Sequence, residues 1–153
     1  MTSPPEPYRP IEVLLVEDNE GDVDLIRERL AQSRLLLHLS VARDGIEAER
    51  FLRREGPYTD APRPDLVMLD LNLPRRPGAE VLARIKGTPE LRAIPVVVLT
   101  SSDAELDIAR SYAAGANCYV TKPVNLAALQ QVVATVESFW FTIVRLPPRE
   151  AGA

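Results

Sequence analysis

Three short runs, Val13-Leu14-Leu15-Val16, Leu66-Val67-Met68-Leu69 and Val96-Val97-Val98-Leu99, are continuously apolar, and each is followed by a stretch of helical periodicity. A strand that is apolar on both faces must be covered on both faces, which is the condition of a parallel sheet built from strand-helix units. Five such units are read. Strands are expected at Ile11 to Val16, Leu37 to Val41, Asp65 to Leu69, Val96 to Leu99 and Cys118 to Thr121. Helices are expected at Glu20 to Gln32, Gly45 to Arg54, Gly78 to Lys86, Ala104 to Ala114 and Leu126 to about Val144, with Asp103 capping the fourth and Asn125 the fifth. Leu37-His38-Leu39-Ser40-Val41 alternates apolar with polar, and the fifth strand is short and mixed, so both suit sheet edges. Right-handed crossovers then favour the order 2-1-3-4-5 in an α/β, doubly wound, five-stranded parallel sheet.

The length of 153 residues fits one such unit, and 46% hydrophobic with 26% charged residues is enough for a core without disulfides or structural metal. Six of the 14 prolines, at positions 4, 5, 7, 10, 147 and 148, set the expected limits: a flexible tail over 1–10, a folded unit over 11–144 and a second flexible tail over 145–153. The net charge of -4, with no basic cluster beyond pairs such as Arg53-Arg54 and Arg75-Arg76, argues against nucleic acid as a partner. A single cysteine, Cys118, and a single histidine, His38, exclude an internal disulfide and a Cys/His zinc site. His38 is expected as a satisfied edge-strand side chain and Cys118 as a small buried thiol. The longest apolar runs fall short of the ~20 residues of a membrane span, and Met1-Thr2-Ser3-Pro4-Pro5 does not read as a signal segment. The expected location is the cytoplasm, with no membrane contact.

In a parallel sheet all strands end on one rim, so Glu17-Asp18, Asp70, Thr100-Ser101 and Lys122-Pro123 should meet there. The crevice between the first and third strands, where the order reverses, gathers Glu17, Asp18 and Asp70. Three crowded carboxylates repel unless a cation compensates, and a hard divalent ion with oxygen ligands, Mg²⁺, is the expected partner. Such an ion shares its shell with phosphate, which Thr100 and Lys122 can bind through a hydroxyl and an ammonium. Asp70, the central acid, is best placed to act as a nucleophile and form an acyl phosphate.

This ordered set resembles the receiver domain of two-component response regulators, over about Ile11 to Ala134. The pieces that carry the resemblance are Leu15-Val16-Glu17-Asp18-Asn19, Val67-Met68-Leu69-Asp70-Leu71-Asn72-Leu73-Pro74, Thr100-Ser101 after Val97-Val98-Leu99, and Ala116-Asn117-Cys118-Tyr119-Val120-Thr121-Lys122-Pro123. The resemblance implies a flavodoxin-like fold and a chain that takes a phosphoryl group from a histidine kinase. It implies Asp70 as phosphoacceptor, Glu17 and Asp18 as Mg²⁺ ligands directly or through water, and the backbone carbonyl of Asn72 as a further ligand. Lys122 would pair with the phosphoryl group, Thr100 and Tyr119 would form the switch pair, and the Lys122-Pro123 bond would be cis. Asn72 and Ser102 occupy the family's rate-tuning positions. Arg75-Arg76-Pro77-Gly78 departs from the family pattern, which has Asp-Gly where Pro77-Gly78 stands. The loop Glu55 to Pro64, the run Ile94 to Ser102 and the aromatic C-terminus are similar to stand-alone receivers paired with bacteriophytochrome-type histidine kinases.

The resemblance implies a switch rather than a turnover enzyme: the chain would catalyse its own phosphorylation and slow dephosphorylation, and signal to an unknown downstream protein. A phosphatase of the haloacid dehalogenase type needs an acid two residues after the nucleophile, where this chain has Asn72. A flavodoxin-like carrier needs a hydroxyl-rich phosphate loop where Glu17-Asp18-Asn19-Glu20 stands. The blander alternatives are that Glu17-Asp18 merely complement a helix dipole, that Thr100 only caps, and that Lys122 is a solvated strand end. Phe139-Trp140-Phe141, extended by Ile143, Val144 and Leu146, is read as part of a homodimer interface, against the alternative that the tail folds back on its own domain.

Overall fold

A computed structural model of the chain describes residues 9–148; the remainder of the two expected tails, 1–8 and 149–153, lies outside the described residues. Five parallel strands, β1 (Ile11–Val16), β2 (Leu37–Ala42), β3 (Leu66–Leu69), β4 (Val96–Thr100) and β5 (Cys118–Thr121), form one sheet in the order β2-β1-β3-β4-β5. The helices are α1 (Glu20–Ala31), α2 (Gly45–Arg53), α3 (Gly78–Gly87), α4 (Glu105–Ala113) and α5 (Leu126–Ser138). The sheet order follows the apolar pattern: β3 and β4 are buried throughout, while β2 and β5 are only partly covered.

Side chains alternate across the sheet and so divide the core in two. Leu14, Val16, Val67, Leu69, Val96 and Val98 face Ala48, Phe51 and Leu52 of α2 and Val81, Leu82 and Ile85 of α3. Val13, Leu15, Leu66, Met68, Val97 and Leu99 face Val23, Ile26 and Leu30 of α1 and Leu129, Val133 and Val136 of α5. On the edge strand His38 sits opposite Glu12, and their side chains meet through Nδ1 and Oε1. Cys118 is half-buried and free.

Helix starts follow local capping chemistry. Asn19, Asp44 and Asn125 accept from the backbone amides of Asp22, Glu47 and Ala128 at 2.9, 2.8 and 3.0 Å. Asp103 does not cap α4 as expected. Ala104 holds the cap position without a side-chain bond, and Ser102 Oγ instead donates to Asp107 Oδ2 at 2.6 Å while accepting from the Ala104 amide at 3.4 Å. A hydroxyl two residues before the cap position bridges to the first turn of the helix and displaces the carboxylate from that role.

The C-terminus divides the aromatic run between the core and the surface. The α-helix stops at Ser138, and a π turn over Phe139–Ile143 follows, closed by the Val144 amide on the Phe139 carbonyl at 2.8 Å. Trp140 is buried in the α1/α5 side of the core, and Phe141, Val144 and Leu146 pack partly buried against the same cluster. These four complete the monomer's own core, because α5 alone leaves the end of that face uncovered. Phe139 and Ile143 remain exposed. Leu126–Ile143 is long and apolar enough to cross a membrane by length and composition, yet its buried face is the one that covers β1, β3 and β4. Trp140→Ala is expected to cost ~3–5 kcal/mol, read from the denaturation midpoint at unchanged slope; a loss below about 1 kcal/mol would place the ring outside the core.

Candidate functional site

Backbone hydrogen bonds carry the sheet one residue beyond its strands. The Glu17 amide donates to the Ala42 carbonyl at 3.0 Å, the Asp70 amide to Val16 at 3.0 Å, and the Lys122 amide to Thr100 at 2.6 Å. The side chains that follow β1, β3 and β5 are therefore set by the ladder rather than by loops, and they meet on the rim as expected. Glu17, Asp70 and Thr100 are buried there.

Lys122 is the hub. Its ammonium donates to Glu17 Oε2 at 2.8 Å, Asp22 Oδ2 at 2.9 Å and Asp70 Oδ2 at 3.0 Å, which uses all three of its protons. The other oxygen of Asp70, Oδ1, accepts from Thr100 Oγ1 at 2.7 Å and from the Asn72 amide at 3.0 Å. Glu17 Oε1 accepts from the Asn19 amide at 3.1 Å. Every carboxylate oxygen of Asp70 and Glu17 thus has a donor, and both acids are held in one orientation.

Three carboxylates, those of Glu17, Asp22 and Asp70, share one ammonium, and Asp18 stands beside them with no share in it. Burial pushes Glu17 up to about 7, with the Asp70 charge adding to the shift and the bond to Lys122 opposing it. For Lys122, burial works against the charged form, but bonding to Glu17, Asp22 and Asp70 outweighs it and holds the ammonium above its ordinary value. Glu17, Asp18 and Asp70 each offer a carboxylate oxygen, and these atoms lie within 4.8 Å of one another. Hard oxygen donors, an excess of negative charge and a cleft of about 550 Å³ lined by Glu17, Asp18, Asn19, Asp22, Asp70, Asn72, Ser101 and Lys122 fit a hexacoordinate divalent ion that keeps several waters.

Asp22 is the residue that sequence reasoning missed. An acid in the first turn of a helix reads as a complement to the helix dipole, and its approach to Lys122 depends on how α1 packs beside α5. Two further expectations concern the fifth strand. Tyr119 is half-buried, its ring against the α2/α3 side of the core and its hydroxyl donating to the Ser102 carbonyl at 2.8 Å. The cis Lys122-Pro123 bond is not found, since no cis peptide bond occurs among the described residues. The Lys122 side chain reaches its three acids with the trans bond, which is the ordinary preference.

Residues 13–134 match the family model described as the response regulator receiver domain. Response regulator Rcp1 of Synechocystis sp. is 49% identical over 135 residues, 88% of this chain and 92% of that protein. Its Mn²⁺-bound crystal structure superposes with a TM-score of 0.89 at 48% identity, covering 91% of this chain and 100% of Rcp1 as solved. The phosphorylated cyanobacterial phytochrome response regulator RcpA superposes equally well, at a TM-score of 0.89 and 49% identity over 92% of this chain and 100% of that one. The bacteriophytochrome response regulator AtBRR matches at a TM-score of 0.69 and 42% identity, over 86% and 96% of the two chains. By the family match and by its likeness to Rcp1, the chain belongs to the receiver domain family of two-component response regulators.

Proposed function

We propose that Asp70 accepts a phosphoryl group from the phosphohistidine of a histidine kinase of the phytochrome type, in the cytoplasm, and that the modification switches a surface read by a downstream protein. The observation that carries this reading is the convergence on Asp70: Lys122 on one carboxylate oxygen, Thr100 and the Asn72 amide on the other. A carboxylate held this way presents a lone pair toward the open cleft. Attack by an Asp70 oxygen forms the carboxyl oxygen to phosphorus bond as the bond from phosphorus to the donor imidazole nitrogen breaks, and the imidazole leaves. Lys122 and Thr100 are then free to donate to the phosphoryl oxygens.

Glu17, Asp18, Asp70 and the backbone carbonyl of Asn72 would hold a Mg²⁺ ion, which supplies charge neutralisation for the transferring group. The Mn²⁺-bound structure of Rcp1 and the acid cluster here support that assignment. Asn72 and Ser102 stand at the positions that the family resemblance assigns to rate tuning and would set the lifetime of the acyl phosphate. Thr100 and Tyr119 would form the switch, Thr100 through its hydroxyl beside Asp70 and Tyr119 through its partly buried ring. The protein is its own catalyst in both directions and no turnover enzyme.

Incubation with acetyl phosphate and Mg²⁺ should add one phosphoryl group at Asp70, seen by intact mass and peptide mapping. Asp70→Asn should abolish it, and undiminished labelling in that variant would falsify the assignment.

The raised Glu17 carboxyl gives the metal-free protein a pH dependence of known sign. A group whose folded pKa lies above its unfolded value, here about 7 against 4.5, contributes stability that is complete below the unfolded value and is lost as pH rises through the folded one. The melting temperature without metal should therefore fall between pH 5 and pH 8, by at least ~2 °C, the shift of ~1 kcal/mol in a chain of this size. Saturating Mg²⁺ at pH 8 should restore it, and Glu17→Gln should flatten the profile. A metal-free melt that rises over this range in the wild type would contradict the assignment of an uncompensated acid.

A homodimer is proposed through the exposed Phe139 and Ile143 with Leu106 and Tyr112 of α4. A charge on buried Trp140 would attack the fold, so the exposed pair carries the test. Phe139→Glu with Ile143→Glu should convert a dimer to a monomer at micromolar concentration in sedimentation, with the melt unchanged. A wild-type monomer under those conditions would refute the dimer.

A further inference from the structure

The segment Arg75-Arg76-Pro77-Gly78, where the chain departs from the family pattern, is bound to α2 by charge. Glu49, buried in the middle of α2, pairs through Oε2 with Arg76 Nη1. Arg84 of α3 brings Nε to 2.9 Å from Glu49 Oε1, an ion-pair contact without the alignment of a hydrogen bond, and both arginines also approach Glu80. One residue earlier, Arg75 Nη1 lies 3.1 Å from Asp44 Oδ2, and Asp44 is the N-cap of α2. Arg75 has φ 65°, a left-handed conformation that a non-glycine residue adopts only when its surroundings hold it there.

The backbone is pressed into place at both ends of this segment. A Cβ on Gly45, the first residue of α2, would stand 2.3 Å from the Arg76 carbonyl oxygen, so the loop and α2 touch main chain to main chain. A Cβ on Gly78 would stand 2.1 Å from the carbonyl oxygen of Asp70, and the Gly78 amide donates to the Leu71 carbonyl at 2.9 Å. The stretch from Asp70 to Gly78 is therefore a closed loop whose far end abuts the backbone of Asp70 itself. Asn72 lies inside that loop. A displacement of Arg76 away from α2 must move either the Gly78 contact or the path through Asn72.

We propose that Arg76, anchored on buried Glu49 and assisted by Arg75 on Asp44, is a positioning residue that sets how well the loop from Asp70 to Gly78 presents the backbone of Asn72 to a divalent ion. This rests on the assignment of Glu17, Asp18, Asp70 and Asn72 as the metal site. It makes α2, which contributes no residue to the acid cleft, the element that determines metal affinity, and it gives the two arginines the task of ordering a loop that lacks the usual Asp-Gly turn.

The test is Mn²⁺ affinity measured directly from the loss of the free-ion signal in electron paramagnetic resonance, on the full chain, with the melting temperature recorded in parallel. Arg76→Ala should weaken Mn²⁺ binding by roughly tenfold, the loss usual when a residue that orients a ligand is removed. A purely structural pair would lower the melting temperature and leave the Mn²⁺ affinity unchanged, and that result in folded Arg76→Ala overturns the proposal. Should Arg76→Ala fail to fold, Arg75→Ala, whose side chain is exposed, decides the matter: weaker Mn²⁺ binding upholds the proposal and unchanged binding overturns it. Asp18→Ala separates the two levels. If it leaves Mn²⁺ affinity unchanged, the metal-site assignment fails, and the positioning role falls with it.

Discussion

The ammonium of Lys122 inside its ring of carboxylates is the interaction on which the rim of this molecule depends. Three acids from three separate segments, Glu17 after β1, Asp22 in α1 and Asp70 after β3, turn toward one cation that follows β5. Without that cation their charges would drive the ends of β1 and β3 and the start of α1 apart. With it the cluster is held together but not neutralised, since one positive charge stands against the three acids it binds and Asp18 beside them. Burial raises Glu17 toward neutrality, and the neighbouring Asp70 charge adds to that shift. The site is thus left short of positive charge by its own construction, and a receiver needs this condition to take up a divalent ion and a phosphoryl group together.

The sheet supplies the rigidity that the cluster needs. Backbone bonds from Glu17, Asp70 and Lys122 extend the ladder past the strands, so these side chains hang from hydrogen-bonded main chain. Behind them the buried strands β3 and β4 form the centre of both halves of the core. Removing a methylene from such a centre is felt at the rim, because close-packed interiors transmit displacement. The loops then differ in how tightly they are held. The one from Asp70 to Gly78 is fastened to α2 by Arg75 and Arg76, whereas the start of α4 is held through Ser102, by its hydroxyl on Asp107 and by the Tyr119 hydroxyl on its carbonyl.

The C-terminal segment illustrates how tertiary packing redirects an apolar pattern. Phe139-Trp140-Phe141 concentrates aromatic surface at the end of a helix, which in sequence is equally consistent with an interface and with a core. The π turn decides between them, as Trp140, Phe141, Val144 and Leu146 all come to rest on the α1/α5 side of the sheet. Two residues, Phe139 and Ile143, are left over for any partner. A pattern of hydrophobic residues states that surface must be buried; it does not state against what.

By itself the sequence determined the five strands and the first four helices to within a residue, the start but not the end of the fifth helix, the order in the sheet, and the meeting of Glu17, Asp18, Asp70, Thr100 and Lys122. The reason is that each of these rests on a local signal: continuous or alternating apolar runs, capping residues such as Asn19 and Asn125, and the rule that parallel strands end on one rim. The tertiary structure alone decided the rest. Asp22 joined the site because α1, packed beside α5, brings it to the Lys122 ammonium, Asp103 lost its capping role to Ser102, and Trp140 turned inward. Glu49, unremarkable among the acids of an amphipathic helix, became the buried anchor of Arg76. Each of these outcomes depends on which side chain of a neighbouring element arrives within about 3 Å, and that distance is set by how helices pack on a sheet, which no local spacing in the chain encodes.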